Sequence, residues 1–133
     1  MNKYKIIAIC GKSAAGKDTF LQEVLKQDTN LHEIVSCTSR PPRENEVDGK
    51  NYFFLTLDEF KEMHERGEML EACTFNDWAY GTAIKSLNIN KVNVGVFNPE
   101  GICSLANDSR IDLFVVLVQA SNKVRLLRSL RRE

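Results

Sequence analysis

A glycine-rich stretch with a lysine near its end, residues 11–19, constrains this chain more than any other feature. It reads Gly-Lys-Ser-Ala-Ala-Gly-Lys-Asp-Thr, between an apolar run at 6–10 and a stretch at 20–25 with helical apolar spacing. Small residues between a strand and a helix let successive N–H groups close around an anion, and the helix start adds partial positive charge. The pattern predicts a phosphate-binding loop; the alternative is an ordinary strand–turn–helix junction.

The spacing Gly-x4-Gly-Lys is that of the Walker A motif except at its last position. Lys17 supplies the side-chain cation, Asp18 replaces the usual Ser or Thr, and Thr19 follows one residue later. The predicted phosphate-binding residues are Gly11, Lys12, Ser13, Ala14, Ala15, Gly16, Lys17, Asp18 and Thr19.

Composition is typical of one soluble intracellular domain. The chain has 133 residues, 43% of them hydrophobic, which is enough for a sizeable core. Its formal net charge is zero, so bulk electrostatics give no case for nucleic acid or an acidic membrane. The longest wholly apolar run, 113–118, is too short to span a bilayer, and the start lacks a secretory signal. We therefore expect a cytoplasmic location and no nucleic-acid or membrane partner; the oligomeric state stays open.

Apolar runs rich in Val and Ile are typical of buried parallel strands. Such runs occupy residues 5–10, 92–97 and 111–118, with 33–36 as a weaker fourth. Helical candidates occupy residues 18–27, 99–107 and 122–132. Strands that alternate with helices predict an α/β fold whose parallel sheet is flanked by helices.

The middle of the chain, residues 37–90, has a different pattern. Thr56 and Glu59 form a capping box, and the helix that follows would place Phe60 and Met63 on one face and end at Gly67. Strand-like segments lie at 52–55, 69–75 and 78–81. We interpret 37–90 as a compact αβ lobe inserted into a core made of 1–36 and 91–133.

Two arginines in a proline-rich loop are the second strong signal. Arg40 and Arg43 flank Pro41 and Pro42, which stiffen the loop and fix where both side chains begin. Two guanidinium forks held in this way suit a dianionic phosphate. The alternative is a solvated basic loop.

The surroundings of these arginines resemble the guanylate kinase family. Residues 38–54 read TSRPPRENEVDGKNYFF, against a family pattern of Thr-Thr/Ser-Arg-x-Pro-Arg-x-x-Glu-x-x-Gly-x-x-Tyr-x-Phe. The resemblance continues through 59–60, 67–71 and 80–82, and it includes the phosphate loop and, more loosely, the later strands.

The resemblance implies a P-loop NTPase-type sheet with an inserted GMP-binding lobe. It implies transfer of the ATP γ-phosphate to GMP or dGMP with Mg²⁺, with the loop at 11–19 on the ATP phosphates. The acceptor residues would be Ser36, Arg40, Arg43, Tyr52, Glu71, Tyr80, Thr82 and Asn98. Among these, Glu71 would accept from the guanine N1–H and 2-amino group, a donor pair that adenine lacks.

Phosphoryl transfer depends on positioning and charge neutralisation, so no general base is assigned. The residues expected to act on the transferring group are Lys17, Arg40, Arg43, Arg128 and Arg132. The last two match the family's lid arginines, with a basic exposed helix face as the alternative.

Some positions depart from the family pattern. Lys12 replaces a common proline, and Val96 and Asn98 stand where the family usually has Asp-x-Asp. Asp18 replaces the hydroxyl that usually serves magnesium, although a carboxylate can also ligate Mg²⁺. The chain ends at Glu133, where the family's lid continues, so we expect nucleotide binding with slow phosphate transfer.

Three alternatives remain open. The Gly-Lys-Asp-Ser/Thr ending also appears in ribose 1,5-bisphosphate phosphokinases, which do not need Glu71. A second alternative is a non-catalytic guanylate-kinase-like module that binds a protein partner, although Gly11, Gly16 and Lys17 argue against it. A third is a remnant that binds nucleotide without turnover.

Overall fold

A computed structural model describes residues 3–11 and 16–118 of the chain. In chain order its elements are β1 (Tyr4–Cys10), α1 (Lys17–Gln27), β2 (Leu31–Glu33), β3 (Cys37–Thr38), β4 (Phe53–Phe54), α2 (Leu57–Glu65), β5 (Met69–Phe75), β6 (Trp78–Ala83), a short 3₁₀ turn (Ile84–Ser86), β7 (Val92–Val96), α3 (Pro99–Ala106) and β8 (Ile111–Leu117). None of the helices in the described ranges has the length and apolarity that crossing a membrane requires.

Two compact units make up the described part of the chain. One consists of the described residues up to Glu33 and from Ile89 to Val118, and the other is Ile34–Asn88. Each unit contains its own four-stranded sheet. The fold is therefore mixed α/β, as the sequence predicts.

The sheet of the first unit is entirely parallel, with strand order β2-β7-β1-β8. In the centre, Ile7 lies between Val94 and Phe114 on the neighbouring strands. Parallel strands place all their carboxyl ends at one edge, so the segments that follow β1, β7 and β8 start from the same edge.

Helices cover this sheet with apolar side chains. Leu21 of α1 packs against Ile9 and Val94, both of which are fully buried. Helix α3 begins with Pro99 in its first turn, where a missing N–H costs nothing, and buries Leu105. The predicted helices at 18–27 and 99–107 are thereby confirmed within a residue, whereas the one at 122–132 lies outside the described residues.

The second unit combines a mixed sheet, of order β4-β3-β6-β5, with helix α2. The predicted capping box is present: Thr56 Oγ1 accepts from Glu59 N, and the Glu59 carboxylate accepts from Thr56 N. Phe60 and Met63 of α2 pack into a core whose other buried members are Cys37, Met69, Ala79 and Ala83. The β5–β6 hairpin turns through Asn76 and Asp77, both at positive φ.

One strand prediction is wrong. Residues 33–36 do not form a strand, because β2 ends at Glu33 and β3 begins at Cys37. The strand lies earlier in the chain than predicted: Leu31, His32 and Glu33 pair with Val92, Asn93 and Val94, and the pairing stops there although β7 continues to Val96. Apolarity at Ile34 and Val35 alone therefore misplaced the strand.

Candidate functional site

Both glycines that frame the predicted phosphate-binding loop lie between a central strand and a helix. Gly11 directly follows β1, where Val118 N donates to the Cys10 carbonyl over 2.8 Å. A Cβ at Gly11 would come within 2.5 Å of the Val118 carbonyl oxygen, so the backbone approach requires glycine. Gly16 precedes α1 with a φ of 91°, in the left-handed region. The loop residues between the glycines, Lys12, Ser13, Ala14 and Ala15, lie outside the described residues.

The first turn of α1 carries Lys17, Asp18 and Thr19. The N–H groups and positive end of a helix favour anions here, and Asp18 already adds one negative charge. No group of three or more His, Cys, Asp or Glu side chains comes together within 3–11 and 16–118. Mg²⁺ in phosphotransferases is commonly held by one or two carboxylates plus substrate phosphates, so Asp18 is compatible with that donor set.

The end of β7 has no carboxylate. Val96 is half-buried and packs against the core cluster of Ile9, Leu21 and Val94. The Asn98 side chain accepts from Gly101 N over 2.7 Å and thereby caps α3. This position, predicted to contact the acceptor, therefore has a structural role in the helix, and the side-chain oxygen of Asn98 is already engaged.

In the second unit, alternate residues of β6 divide the sheet into two faces. Ala79 and Ala83 face the core under α2, so Tyr80 and Thr82 lie on the opposite face. Glu71 lies directly across from Thr82 on β5. The face opposite α2 thus brings three of the predicted acceptor residues together.

Glu71 and Thr82 form a hydrogen-bonded pair on this face. Thr82 is fully buried, and its hydroxyl donates to Glu71 Oε1 over 3.0 Å. Burial raises the pKa of Glu71 above its ordinary value, while the bond from Thr82 acts in the opposite direction. Ser36, another of the predicted acceptor residues, lies just before β3, and its carbonyl accepts from Phe53 N.

Arg40 is the centre of a second cluster in this unit. Its side chain is 7% exposed, and its guanidinium forms a two-pronged ion pair with Glu46, with N–O distances of 2.9 and 3.0 Å. The guanidinium carbon lies 5.3 Å from the Tyr52 ring centroid and 6.0 Å from that of Phe54. The Tyr52 ring in turn meets the Tyr80 ring edge-on, with centroids 6.1 Å apart.

The charges of this cluster stabilise one another. Glu46 is the largest cause of a raised pKa at Arg40, and Tyr80 adds to that shift. Conversely, Arg40 and the backbone N–H of Arg43 lower the pKa of Glu46 to about 2. The pair is therefore ionised throughout the physiological pH range.

The two arginines of the loop differ in environment. Arg43 is exposed, as a solvated basic loop predicts, and its backbone N–H donates to Glu46 Oε1 over 2.7 Å. Arg40 is buried, so the solvated-loop alternative is wrong for that residue. Glu46 received no role from the sequence, although it occupies the glutamate position of the quoted family pattern; that position was the available signal.

The predicted residues are thus partly assembled within single units. Arg40, Tyr52 and Tyr80 are in mutual contact, and Glu71 pairs with Thr82. Arg128 and Arg132, predicted for the lid, lie outside the described residues.

Comparison with known proteins identifies relatives. The family model described as guanylate kinase matches residues 3–132. The guanylate kinase of Thermotoga maritima is 45% identical over 93 residues, which cover 70% of this chain and 44% of that protein. The guanylate kinase of Prochlorococcus marinus is 42% identical over 87 residues, covering 65% of this chain and 47% of that one. The chain therefore spans about half the length of the curated relatives it matches.

A solved structure agrees with the fold. The crystal structure of guanylate kinase from Anaplasma phagocytophilum matches with a TM-score of 0.68 at 22% identity, over 98% of this chain and 68% of that chain. This similarity bears on the architecture alone. Because the family model extends over nearly the whole sequence, the chain belongs to the guanylate kinase family.

Proposed function

We propose that this chain belongs to a phosphotransferase that moves the γ-phosphate of ATP to GMP or dGMP in the presence of Mg²⁺. One observation carries the proposal: a half-buried carboxylate, Glu71, is anchored by Thr82 on the sheet face that also carries Tyr80, a member of the Arg40 cluster. An acceptor that has both a donor-rich base and a phosphate matches those two chemistries.

The guanine base would be read by Glu71, Thr82 and Ser36. An ionised carboxylate accepts hydrogen bonds only, and the guanine N1–H and 2-amino group form a matching donor pair. Adenine offers no such pair on that edge, so the site would discriminate by leaving the half-buried Glu71 carboxylate without donors from the wrong base. Hydroxyls of Thr82 and Ser36 can donate to guanine O6.

The acceptor phosphate would be held by Arg40, Arg43, Tyr52 and Tyr80. A guanidinium group only donates hydrogen bonds, and a phenolic hydroxyl can donate one. Such donors suit a phosphate dianion, which only accepts. The exposed Arg43 would add its charge when the nucleotide arrives. Asn98 would contribute through its amide nitrogen, since its oxygen caps α3.

The donor nucleotide would be held by the loop at 11–19. Its backbone N–H groups and Lys17 would cradle the ATP phosphates, and Asp18 with those phosphates would hold Mg²⁺, which neutralises charge on the transferring group. Arg128 and Arg132 would complete the charge clamp. The ligands would be nucleotides without a nucleic-acid or membrane partner, in the cytoplasm, consistent with a net charge of zero.

A transfer assay tests the proposal directly. ATP and Mg²⁺ would be supplied with GMP, dGMP, AMP or ribose 1,5-bisphosphate, and nucleotide affinities would be measured on the same sample by calorimetry. Product from GMP and dGMP, and little from the other two acceptors, is the expected result. Transfer to ribose 1,5-bisphosphate instead would support that kinase class. GMP binding without ATP binding would favour a non-catalytic module.

A further inference from the structure

The Arg40–Glu46 pair has a feature that the proposed phosphate role of Arg40 does not explain by itself. Arg40 is proposed to bind phosphate, yet it already has a carboxylate partner. That partner, Glu46, lies on the same short loop, six residues away. A permanent ion pair reduces the charge that Arg40 presents. The loop therefore needs Glu46 for something other than charge.

Hydrogen-bond geometry shows what Glu46 leaves available. Arg40 Nη1 donates to Glu46 Oε1 over 2.9 Å and to the Pro41 carbonyl over 3.1 Å, and Nη2 donates to Glu46 Oε2 over 3.0 Å. These bonds use three of the five N–H donors of a guanidinium. The Nε–H and the second Nη2–H are parallel neighbours and form another fork, of the kind that binds two phosphate oxygens.

The rest of the cluster fixes the direction of that fork. Tyr52 and Phe54 lie against the guanidinium, which limits rotation of its plane. The Tyr80 hydroxyl also interacts with Arg40, and a hydroxyl can accept from one partner while donating to another. Arg40 is thus held on one edge by Glu46, and its guanidinium lies over the Tyr52 and Phe54 rings.

Glu46 also fixes the turn that carries Arg43. Its Oε1 accepts from Arg43 N over 2.7 Å, and its own N–H donates to the Arg43 carbonyl over 3.1 Å. Asn45 completes this turn at a φ of 71°, a conformation that asparagine tolerates. One carboxylate therefore ties the backbone of Arg43 to the side chain of Arg40.

We propose that Glu46 is a positioning residue, which sets the Arg40 fork that Glu46 does not bind, together with the Arg43 turn, in a phosphate-ready arrangement before the acceptor binds. The inference rests on the proposed function. Glu46 itself does not touch the acceptor; it lowers the ordering cost that two arginine side chains would otherwise incur on binding.

The test compares Glu46→Gln with Glu44→Gln, which removes the same charge from an exposed position of the same loop. Affinities for GMP, AMP, guanosine and inorganic phosphate are measured by calorimetry at a temperature where both variants are folded. Glu46→Gln should lose about tenfold or more in GMP affinity, as expected when a charged hydrogen bond is disrupted, while its guanosine affinity stays unchanged. Glu44→Gln should bind all four ligands like the wild type.

A second measurement needs no nucleotide. In the free ¹⁵N-labelled protein, the Arg40 Nε–H resonance, assigned by its loss in Arg40→Lys, should be sharp in the wild type and broadened or lost in Glu46→Gln. Equal resonances in both proteins, or equal losses of GMP and guanosine affinity, would overturn the positioning role.

If wild type binds AMP as well as GMP, and Glu46→Gln weakens both, the guanine proposal fails while the positioning role stands. If no phosphate-containing ligand binds, both proposals fail.

Discussion

The Thr82 hydroxyl donates to Oε1 of Glu71 across the antiparallel β5–β6 pair, at 3.0 Å. This bond fixes the carboxylate on the sheet and leaves most of its acceptor sites for other donors. Burial raises the pKa of Glu71, which means that the folded protein maintains the charged form at a cost. Shifted pKa values are frequent at functional sites, which agrees with the proposed base-reading role of Glu71.

Replacing Glu71 with Gln should weaken GMP binding far more than AMP binding. The amide keeps the bond from Thr82 but presents a donor where guanine also presents donors. We expect a loss of about 1.5–3 kcal/mol in GMP binding, the usual range for a charged hydrogen bond. Calorimetric titration of both nucleotides measures the difference, and equal losses would show that Glu71 does not read the base.

The same substitution should not destabilise the fold at neutral pH. Because the folded-state pKa of Glu71 is raised, the folded state binds a proton more tightly than the unfolded state. The contribution of this group to stability therefore falls as pH rises from the ordinary value of 4.5 through the folded-state value. Urea unfolding at pH 7 should give Glu71→Gln a free energy of unfolding equal to or above that of the wild type; a marked drop would contradict this account.

Arg43 offers the cleanest test of phosphate recognition. Its side chain is exposed, so Arg43→Ala should change the free energy of unfolding by no more than about 0.5 kcal/mol. GMP affinity should fall while guanosine affinity stays constant, and lysine at this position should restore only part of it, because it lacks the planar fork. Arg40→Ala should show the same ligand selectivity together with a loss of stability, since it removes the ion-pair partner of Glu46. Matching losses for nucleotide and nucleoside would contradict the role.

The Arg40–Glu46 pair should make stability depend on pH in acid. The pKa of Glu46 is lowered from 4.5 to about 2, so its contribution is complete above 4.5 and is lost as pH falls towards 2. The wild type should therefore exceed Glu46→Gln in melting temperature at pH 6, with the difference shrinking as pH approaches 2. Glu44→Gln should show a small difference from the wild type that varies little with pH. A gap between wild type and Glu46→Gln that persists at pH 2 would mean that the pair's charge is not its cause.

Sequence patterns predicted the fold because its strongest elements are locally determined. The apolar runs at 5–10 and 111–118 became β1 and β8, and the capping box at Thr56 starts α2. The misplaced strand at 33–36 shows the limit of such patterns, since its position depends on which residues of β7 it pairs with. Pairing across a long sequence separation leaves no local signal.

The candidate site shows a similar division. Residue types and family spacing pointed to Arg40, Tyr52 and Tyr80, and the structure puts these side chains in contact. The partnership of Arg40 with Glu46 had one signal, the glutamate position of the family pattern, but residue type alone does not show whether a charged residue in a polar loop is solvated or buried. Asn98 likewise needed the start of α3 to reveal its cap. The roles of these residues in binding stay predictions.

Lys17 should matter for the donor nucleotide and not for the acceptor. Lys17 begins α1 directly after Gly16. It is therefore adjacent in the chain to the loop whose N–H groups would surround the phosphates. Lys17→Met keeps the length and apolar stem of the side chain but removes the charge. Transfer should fall by about 10²-fold or more, the range seen when one preorganised charge-stabilising group is removed, and ATP affinity should fall with it. GMP affinity should be unchanged, because every residue proposed to read its base lies in Ile34–Asn88.

Lys26→Met is the matched control: the same helix carries this lysine in its last turn, where its exposed ammonium lies 3.9 Å from Glu23. Equal effects of the two substitutions on transfer would show that Lys17 acts through general surface charge and not at the phosphates.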